Sequence, residues 1–360
     1  MAMALALAER ARLICPPNPA VGCVLVDADG QVIGQGHTQA TGQAHAEVMA
    51  LRDAQARGRV TAGATAYVTL EPCAHHGRTG PCADALIAAG VRKVVASLQD
   101  PNPRVAGQGL ERLRAAGIEV EMGAGAEASR ELNVGFFSRM TRPRPWVRMK
   151  VAASLDGRIA LPNGTSQWIT SPAAREDGHA WRARACAVLT GIGTVLRDDP
   201  RLDVRLPDAT RQPMLVIADS RLRTPLEARL WQVPQRRVCI VGAGGADARR
   251  EQDLRDRGAD VLQLPGTGGR FDLSSLLAEL ARREINEVHV EAGAQLNAAL
   301  WRTDAVDELL LYQAPRLLGE GAPLAALGPF TELAEGPRLE YIGIDRVGAD
   351  LRIRARVAGR

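Results

Sequence analysis

Aromatic side chains are scarce in this chain of 360 residues, where Phe, Tyr and Trp together make up 3%. A core with so few rings must be aliphatic, which suits helices packed on sheets. The shortage also argues against a platform on which the bases of single-stranded nucleic acid stack. Because a domain holds roughly 100–200 residues, the length predicts two domains.

Cysteine is also sparse, with six residues in the whole chain. This low density argues against a disulfide-stapled scaffold and is typical of a reduced, cytoplasmic protein, in which a cysteine pair with a role binds metal. The apolar stretch at residues 1–8 is followed at once by Glu9 and Arg10. We therefore expect no signal peptide and no membrane helix.

Neither sign of charge dominates, because 45 basic residues stand against 41 acidic residues, a formal net charge of +4. The two signs are interspersed along the chain, and no basic stripe is visible. This balance does not favour a polyanion as partner, so we expect no nucleic-acid partner.

Apolar runs alternate with helical patterns in the first part of the chain. A turn at residues 27–30 joins two apolar runs, which predicts a β-hairpin. A helix is predicted over residues 45–57, and strands and helices then alternate to about residue 121. The pattern predicts an α/β layer domain in which an antiparallel hairpin joins a sheet crossed over by helices.

A run of Arg142, Pro143, Arg144 and Pro145 interrupts this alternation, so we place the domain linker there. The predicted domains are residues 1–143 and 144–360. A second α/β pattern follows, with strands expected at residues 146–153, 187–190, 214–218, 237–241, 261–264 and 287–290. Later strands at 307–312 and 339–347 indicate a mixed sheet.

A group of residues with metal-binding chemistry lies in the first domain. His45 and Glu47 open a predicted helix, Cys73 follows a strand, and Cys82 begins the next helix. Zinc deaminases use three protein ligands, an open position for water and a carboxylate that moves protons without binding the metal. We predict that His45, Cys73 and Cys82 bind zinc and that Glu47 is catalytic. The alternative is a buried histidine with two small buried cysteines and no metal.

The spacing departs from that of nucleic-acid deaminases, because eight residues rather than two separate the cysteines. The intervening loop contains His75 and His76, which are alternative ligands. Together with Arg78 they are better suited to contact the substrate, for example by binding a phosphate. A solvated polar loop explains these three residues equally well.

These residues resemble a known family. Residues 18–23, 45–47, 69–82 and 100–103 are similar to the bifunctional riboflavin-biosynthesis deaminase/reductase. Residues 153–158, 166–170, 194–200 and 290–293 resemble its reductase domain. The long loop between the cysteines is typical of this family, so the departure in spacing supports the resemblance.

The resemblance implies a fold and two activities. The fold is α/β, with an N-terminal cytidine-deaminase-like three-layer domain and a C-terminal dihydrofolate-reductase-like α/β domain. The first domain would use zinc to hydrolyse the 2-amino group of 2,5-diamino-6-ribosylamino-4(3H)-pyrimidinone 5′-phosphate. The second would reduce the ribosyl group with NADPH, giving 5-amino-6-(5-phosphoribitylamino)uracil. We expect this phosphorylated pyrimidine as small-molecule partner and a cytoplasmic homo-oligomer, with a dimer favoured.

Three glycine-bearing loops in the second domain compete for the cofactor phosphates. The loop at residues 242–245 lacks the third glycine of a dinucleotide fingerprint, because position 247 is Asp, and we interpret it as a turn. The loops at 191–194 and 291–294 each lie between an apolar strand and a helical run, where backbone N–H groups can bind phosphate. The resemblance favours these two.

The resemblance also implies individual contacts. Cofactor contacts are implied at Ala152, Trp168, Thr194, Asp198, Ser220, Gly293, Ala294, Gln295, Leu296, Asn297, Ala298 and Ala299. Substrate contacts are implied at Ser166, Arg182, Leu202, Arg205 and Glu291. Trp168 is alternatively a core ring, and the two arginines are alternatively surface charges. Lys150 and Asp156 are further candidates to flank the substrate.

A preference for NADPH over NADH is predicted from residues 219–223. The Ser220 hydroxyl and the guanidiniums of Arg221 and Arg223 suit the 2′-phosphate of the cofactor. Asp219 argues the other way, because a carboxylate near the ribose can accept a hydrogen bond from a 2′-hydroxyl.

Two rival functions remain open from the sequence. One is a nucleic-acid base deaminase with an accessory α/β module, which the near-neutral charge and the few aromatics argue against. The other is a non-catalytic, zinc-stabilised binding protein, for which a fourth protein ligand is expected.

Overall fold

The computed structural model describes residues 1–75, 80–103 and 105–359. The chain forms two compact units, Met1–Arg144 and Pro145–Arg360. This division lies one residue after the predicted linker boundary. His76 and Arg78, two of the predicted substrate contacts, lie outside the described residues. None of the described helices is long and apolar enough to cross a membrane.

The N-terminal unit contains a single five-stranded sheet among its described residues. Its strands are β1 Gly22–Val26, β2 Val32–His37, β3 Thr65–Val68, β4 Lys93–Ala96 and β5 Glu119–Met122. Its helices are α1 Ala2–Ala11, α2 Ala46–Ala56, α3 Cys82–Ala88, α4 Gln108–Ala115, α5 Ala126–Leu132 and α6 Val134–Thr141. The strand order is β2-β1-β3-β4-β5. The β2-β1-β3 part is antiparallel and the β3-β4-β5 part is parallel, as the hairpin and crossovers predicted.

Helices cover both faces of this sheet, which confirms the three-layer prediction. Side chains alternate along a strand, so Val24 of β1 faces α1, where it packs with Ala4 and Leu7. Cys23 and Leu25 point to the other face and join the larger core with α2 and α3.

The helix α2 packs very closely on β2. A Cβ atom on Gly36 would lie 2.5 Å from the backbone nitrogen of Ala50 and 2.7 Å from the carbonyl oxygen of Ala46. Real Cβ atoms do not approach backbone atoms so closely, so only glycine fits here. This contact fixes the first turns of α2, which carry two of the predicted site residues.

Among its described residues, the C-terminal unit has thirteen strands. Nine of them form one large sheet, and the other four form two small two-stranded sheets, β12-β13 and β16-β7. Its strands are β6 Trp146–Ser154, β7 Arg158–Ala160, β8 Ala187–Gly191, β9 Met214–Ala218, β10 Val238–Ala243, β11 Ala259–Leu264, β12 Gly266–Thr267, β13 Arg270–Phe271, β14 Glu287–Val290, β15 Glu308–Ala314, β16 Ala322–Pro323, β17 Leu339–Val347 and β18 Asp350–Val357. Its helices are α7 Pro172–Arg184, α8 Ile192–Asp198, α9 Ala248–Asp256, α10 Leu273–Arg282 and α11 Ala294–Arg302. The large sheet has the order β11-β10-β9-β8-β14-β6-β15-β18-β17.

This sheet is mixed, as predicted. Its strands are parallel from β11 to β15, and the terminal hairpin of β17 and β18 is antiparallel. Aliphatic side chains from α10 and α11 pack into one core, and those from α8 and α9 pack into another. Each of these cores also contains aliphatic side chains from the central strands, so the strands are buried on both faces.

The carboxyl ends of β9, β8, β14 and β6 lie side by side, because these strands are parallel neighbours. Gly191 at the end of β8 is in register with Ala218 at the end of β9. Ligands of parallel α/β sheets bind at this edge. The fold therefore collects the loops after these strands, where most of the predicted reductase residues lie.

Candidate active sites

The three predicted metal ligands meet at the starts of two helices. His45 is the N-cap residue of α2, Cys82 is the first residue of α3, and Cys73 lies in the loop before it. The Nδ1 atom of His45 is 3.3 Å from Cys82 Sγ and 3.6 Å from Cys73 Sγ. All three ligand atoms lie within 4.8 Å of one another.

This donor set and its spacing fit zinc. Tetrahedral zinc, with Zn–S of about 2.3 Å and Zn–N of about 2.0 Å, places sulfur and nitrogen about 3.6 Å apart. His75, the alternative ligand within the described residues, is not part of the cluster. In the part of the chain that the structure describes, no fourth His, Cys, Asp or Glu atom joins these three. A zinc ion held by three protein ligands has one coordination position left for water, as in catalytic zinc sites.

The two thiols share one hydrogen-bonding network. The pKa of the Cys73 thiol is lowered, because its sulfur accepts hydrogen bonds from the Cys82 thiol, from His45 and from the Cys82 backbone N–H. The backbone N–H of Cys82 lies 3.4 Å from Cys73 Sγ. The thiolate is the form of cysteine that binds zinc.

Glu47 lies beside the metal position without belonging to the ligand cluster. It is in the first turn of α2, two residues after His45, and is 3% exposed. Burial raises the pKa of its carboxyl to about 7, and the nearby Cys73 contributes to the rise.

A carboxylate that the sequence analysis missed anchors the loop of Cys73. Glu71 is 4% exposed. Its two oxygens accept hydrogen bonds from the backbone N–H groups of Asp100, Gly107, Gly109 and Leu110, at 2.9 to 3.4 Å. Its place directly before Pro72 and Cys73, inside the motif that carried the resemblance, was the available signal.

In the C-terminal unit, Arg182 of α7 and Glu291 after β14 form a bidentate ion pair. The Nε–Oε1 distance is 2.6 Å and the Nη2–Oε2 distance is 2.9 Å. Burial alone would raise the pKa of Glu291, but the charge and hydrogen bonds of Arg182 and the charge of Lys150 lower it. Arg182 is therefore not a surface charge, since its side chain is 12% exposed.

Two further predicted substrate residues adjoin this pair. Arg182 donates a hydrogen bond to the carbonyl oxygen of Asp203, which follows the buried Leu202. Arg205 Nη1 is 2.5 Å from Asp203 Oδ1, and its side chain is 56% exposed. Ser166 lies in the loop between β7 and α7, and no hydrogen bond among the described residues joins it to this group.

His179 connects the two arginines and was not predicted. Its Nδ1 atom accepts a hydrogen bond from the Arg205 backbone N–H at 3.3 Å and lies 3.2 Å from Arg182 Nη1. Burial, together with the charges of both arginines, lowers the pKa of His179 to about 4. A lone histidine inside a helix gives no sequence signal for such a role.

The two candidates beside the substrate differ in their surroundings. Burial lowers the pKa of Lys150, and the charge of the nearby Glu291 opposes this shift. Asp156 instead holds a turn, because it accepts hydrogen bonds from Ser154 Oγ at 2.5 Å and from the Gly319 N–H at 2.7 Å. These bonds lower the pKa of Asp156 to about 2.

The predicted cofactor residues follow the carboxyl edge of the sheet. Ala152 lies on β6, Thr194 and Asp198 lie on α8, and Gly293 is the N-cap residue of α11. The start of α11 has no side-chain cap, so its first N–H groups can bind a phosphate. By contrast, Asp247 already caps α9, which follows the loop at residues 242–245.

Some of the remaining predicted cofactor residues are exposed to solvent, and others are buried. Trp168 is 61% exposed and the guanidinium of Arg175 lies 4.5 Å from its ring centroid, so the alternative of a core ring is wrong. Gly293 and Gln295 are exposed, whereas Asn297 and Ala298 are fully buried. The amide of Asn297 donates to a backbone carbonyl at 2.8 Å, which ties α11 to the loop after β16.

The segment after β9 presents its charges as the sequence suggested, with one exception. Arg221 and Arg223 are exposed and Ser220 is half-buried. Asp219 is fully buried, and its Oδ2 atom accepts hydrogen bonds from the backbone N–H and the hydroxyl of Thr224, at 2.7 and 2.8 Å. Its carboxylate holds this turn and does not reach the surface beside Ser220.

Comparison with known proteins identifies both units. A family model described as the RibD C-terminal domain matches residues 145–353, and one described as the cytidine and deoxycytidylate deaminase zinc-binding region matches residues 1–98. The riboflavin biosynthesis protein RibD of Escherichia coli (strain K12) is 47% identical over 360 residues, covering 98% of this chain and 96% of that protein. The chain belongs to the RibD family.

Solved structures of RibD proteins agree. Acinetobacter baumannii RibD (form 1) matches with a TM-score of 0.89 at 43% identity, covering 99% of this chain and 97% of that one. The diaminohydroxyphosphoribosylaminopyrimidine deaminase/5-amino-6-(5-phosphoribosylamino)uracil reductase of Thermotoga maritima matches with a TM-score of 0.88 at 32% identity, with the same coverage.

The chain is therefore a RibD deaminase/reductase of riboflavin biosynthesis. Its N-terminal part is a zinc-binding deaminase domain of the cytidine-deaminase type, and its C-terminal part is a reductase domain with a dihydrofolate-reductase-like fold. The two rival functions are wrong, because residues 145–353 match a reductase domain rather than an accessory module and the zinc-binding region is that of an enzyme.

Proposed function

We propose that this RibD protein deaminates 2,5-diamino-6-ribosylamino-4(3H)-pyrimidinone 5′-phosphate and then reduces the ribosyl group of the product with NADPH. We assign the first step to residues 1–143 and the second to residues 144–360. The observation that carries the proposal is the cluster of His45, Cys73 and Cys82 with Glu47 beside it, on a chain whose second half has the RibD reductase fold.

In the deaminase, His45, Cys73 and Cys82 hold zinc. When bound, zinc would act as a Lewis acid and lower the pKa of a water molecule, so that the water becomes nucleophilic near neutral pH. Glu47 accepts the proton of this water and delivers it to the departing ammonia. Its buried position excludes bulk water from this transfer, and its place outside the cluster keeps its oxygens free of the metal.

In the reductase, a positively charged group receives the ribose phosphate. Arg182, Arg205 and Lys150 face two carboxylates, those of Glu291 and Asp203, which leaves one positive charge in excess. The exposed guanidinium of Arg205 can bind a phosphate through paired, charge-assisted hydrogen bonds, whereas the paired N–H groups of Arg182 are already bonded to Glu291. The ion pair with Glu291 fixes the orientation of Arg182 before substrate arrives.

The cofactor proposed for the reductase is NADPH, which supplies a hydride. Ser220, Arg221 and Arg223 offer a hydroxyl and two exposed cations to a 2′-phosphate. Asp219 does not compete for a 2′-hydroxyl at the surface, because its side chain is fully buried and one of its oxygens holds the turn at Thr224. One charge-assisted contact, worth about 1.5–3 kcal/mol, gives a preference on the order of ten- to a hundred-fold.

A single incubation tests both steps. The purified protein is mixed with the diaminopyrimidinone phosphate, with and without NADPH, and the masses of the products are measured by mass spectrometry. We expect loss of the 2-amino group without NADPH, and an additional gain of two hydrogens with it. Unchanged substrate in both incubations would refute the proposal.

Cofactor choice is measured separately, as the ratio of kcat/KM for NADPH to that for NADH. We expect the ratio to fall in a variant with Ser220→Ala and Arg221→Ala. An unchanged ratio would place the phosphate site elsewhere.

The proposed homodimer is checked by light scattering, in which a monomer mass would contradict it.

A further inference from the structure

We propose that Glu71 and Arg112 are positioning residues, which hold both cysteine ligands in place by binding the loop of Cys73 and the first turn of α3 to helix α4. This inference rests on the zinc site proposed above. It concerns residues that do not bind the metal, and it assigns a task to α4, which carries none of the predicted ligands.

Glu71 fastens the segment before Cys73 to the start of α4. The residue Gly107 is the N-cap of α4, and Gly109 and Leu110 lie in its first turn. The helix has no side-chain cap of its own residues. Its first N–H groups point instead to the Glu71 carboxylate, at 3.0, 2.9 and 3.4 Å. A negative charge at this end also interacts favourably with the helix dipole.

The backbone of α4 also packs directly against the backbone of the segment before Cys73. A Cβ atom on Gly109 would lie 1.8 Å from the carbonyl oxygen of Pro72, the residue directly before Cys73. The absence of a side chain at position 109 therefore lets α4 touch the chain next to the metal ligand. Because the proline ring fixes φ, Pro72 transmits the position of Glu71 to Cys73 with little freedom.

Arg112 fastens the segments after both cysteines. Its Nη1 atom donates a hydrogen bond to the carbonyl oxygen of Ala74, directly after Cys73, at 3.3 Å. Its Nε atom lies 2.6 Å from Oδ1 of Asp84, which is in the first turn of α3, two residues after Cys82. One side chain on α4 thus contacts both ligand-bearing segments.

Ligand orientation is set by such outer partners, and their loss typically costs about 10–100-fold in metal affinity or activity. In Glu71→Gln, an amide NH₂ replaces one of two acceptor oxygens and faces backbone N–H groups. We expect zinc to leave this variant about 10–100 times faster than the wild type. The reductase activity of the same molecules should be unchanged.

The measurement is zinc release from the full-length protein into excess chelator, followed by a colorimetric indicator. Arg112→Gln is a second variant, which is expected to fold because the arginine side chain is 46% exposed. Its salt bridge is partly solvated, so we expect a smaller acceleration, about 2- to 5-fold. Cobalt substituted for zinc gives an absorption spectrum that depends on ligand geometry, and we expect this spectrum to change in Glu71→Gln.

The matched control is Asp53→Asn. This carboxylate also accepts a backbone hydrogen bond, from Gln35 at 2.8 Å, but it lies on α2 about 12 Å along the helix axis from His45. We expect wild-type zinc release from this control, which separates loss of the contact with α4 from the general loss of a carboxylate that accepts a backbone hydrogen bond.

The outcomes distinguish this inference from the zinc site itself. Equal release from Glu71→Gln and Asp53→Asn, with an unchanged cobalt spectrum, would overturn the positioning role and leave the zinc site intact. If Glu71→Gln does not fold, wild-type release from Arg112→Gln overturns it instead. Full zinc retention in Cys73→Ser and Cys82→Ser would overturn the proposed zinc site.

Discussion

Lowering the pH from 6.5 to 4.5 should destabilise the C-terminal unit through His289. This residue lies on β14 and is completely buried. Burial lowers the pKa of its imidazole to about 3, and nearby cations add to the effect although Glu291, 3.7 Å away, opposes it. The folded protein therefore keeps His289 neutral over this whole range of pH.

The direction follows from proton linkage. In the unfolded chain a histidine has a pKa of about 6.5, so between pH 6.5 and 3 the unfolded chain binds more protons than the folded one. The stability that neutral His289 contributes is present above pH 6.5 and is lost as the pH falls. At about 1.36 kcal/mol per pKa unit, the step from pH 6.5 to 4.5 removes roughly 2–3 kcal/mol.

Carboxylates do not produce this loss. Burial would raise the pKa of Glu308, but the charges of Arg148 and Arg354 lower it to about 2. Its contribution, like that of Glu291, is therefore lost only below about pH 4.5. His179, with a pKa lowered to about 4, adds a smaller share between pH 6.5 and 4.5, because it is only half-buried.

The assay uses an uneven distribution of tryptophan. All five tryptophans lie in the C-terminal unit, at Trp146, Trp168, Trp181, Trp231 and Trp301. Their fluorescence during urea unfolding therefore reports this unit inside the intact chain. Between pH 6.5 and 4.5, we expect the free energy of unfolding of this unit to fall by roughly 2–3 kcal/mol less in His289→Gln than in the wild type.

His37→Gln is the control, because it changes a histidine on β2 in the unit without tryptophan. Its fluorescence transition should shift with pH as in the wild type. An equal loss of stability in wild type and His289→Gln would refute the reasoning, since it would mean that His289 is protonated in the folded state or that burial does not perturb it.

Three further predictions concern the two sites and the packing around them. Glu47→Gln should keep its zinc but deaminate about 10²–10⁴-fold more slowly, with normal reductase activity, because the amide cannot carry protons; normal deamination would contradict the proposed mechanism. Glu291→Gln should abolish reduction and lower the free energy of unfolding of the C-terminal unit by about 3–5 kcal/mol, because Arg182 loses its buried counter-charge; an unchanged urea midpoint by tryptophan fluorescence would be inconsistent with this. Gly36→Ala should destabilise the N-terminal unit by about 1–3 kcal/mol, because its Cβ would meet the α2 backbone; circular dichroism should show the loss while the tryptophan signal stays unchanged.

The parts of the fold that sequence predicts are those with a strong local pattern. The ranges of β9 and β14 are predicted to the residue: β9 is a continuous apolar run that ends before Asp219, and β14 alternates polar residues with valines. The hairpin of β1 and β2 follows from its turn residues. Strand β18 was not predicted, although its sequence alternates between apolar residues and Arg352, Arg354 and Arg356.

The metal cluster is predictable for a different reason. His45, Cys73 and Cys82 are rare residue types in a spacing that few other tasks require. The role of Glu71 could not be predicted in this way, because its partners are backbone N–H groups 29 to 39 residues further along the chain. Any residue type offers such a group, so only the folded chain shows which ones a carboxylate reaches. The pairing of His179 with two arginines depends in the same way on the position of α7.

Because two helices begin at the metal cluster, the concentration of free zinc affects the stability of the deaminase half. Bound zinc would join the first turns of α2 and α3, so the folded deaminase half would be favoured by mass action over its unfolded form. A free zinc concentration a hundred times the dissociation constant adds about 2.7 kcal/mol to its stability. All three proposed ligands lie in the deaminase half, so the gain applies to that half. In a zinc-starved cell the deaminase half would therefore lose stability as well as its catalytic metal.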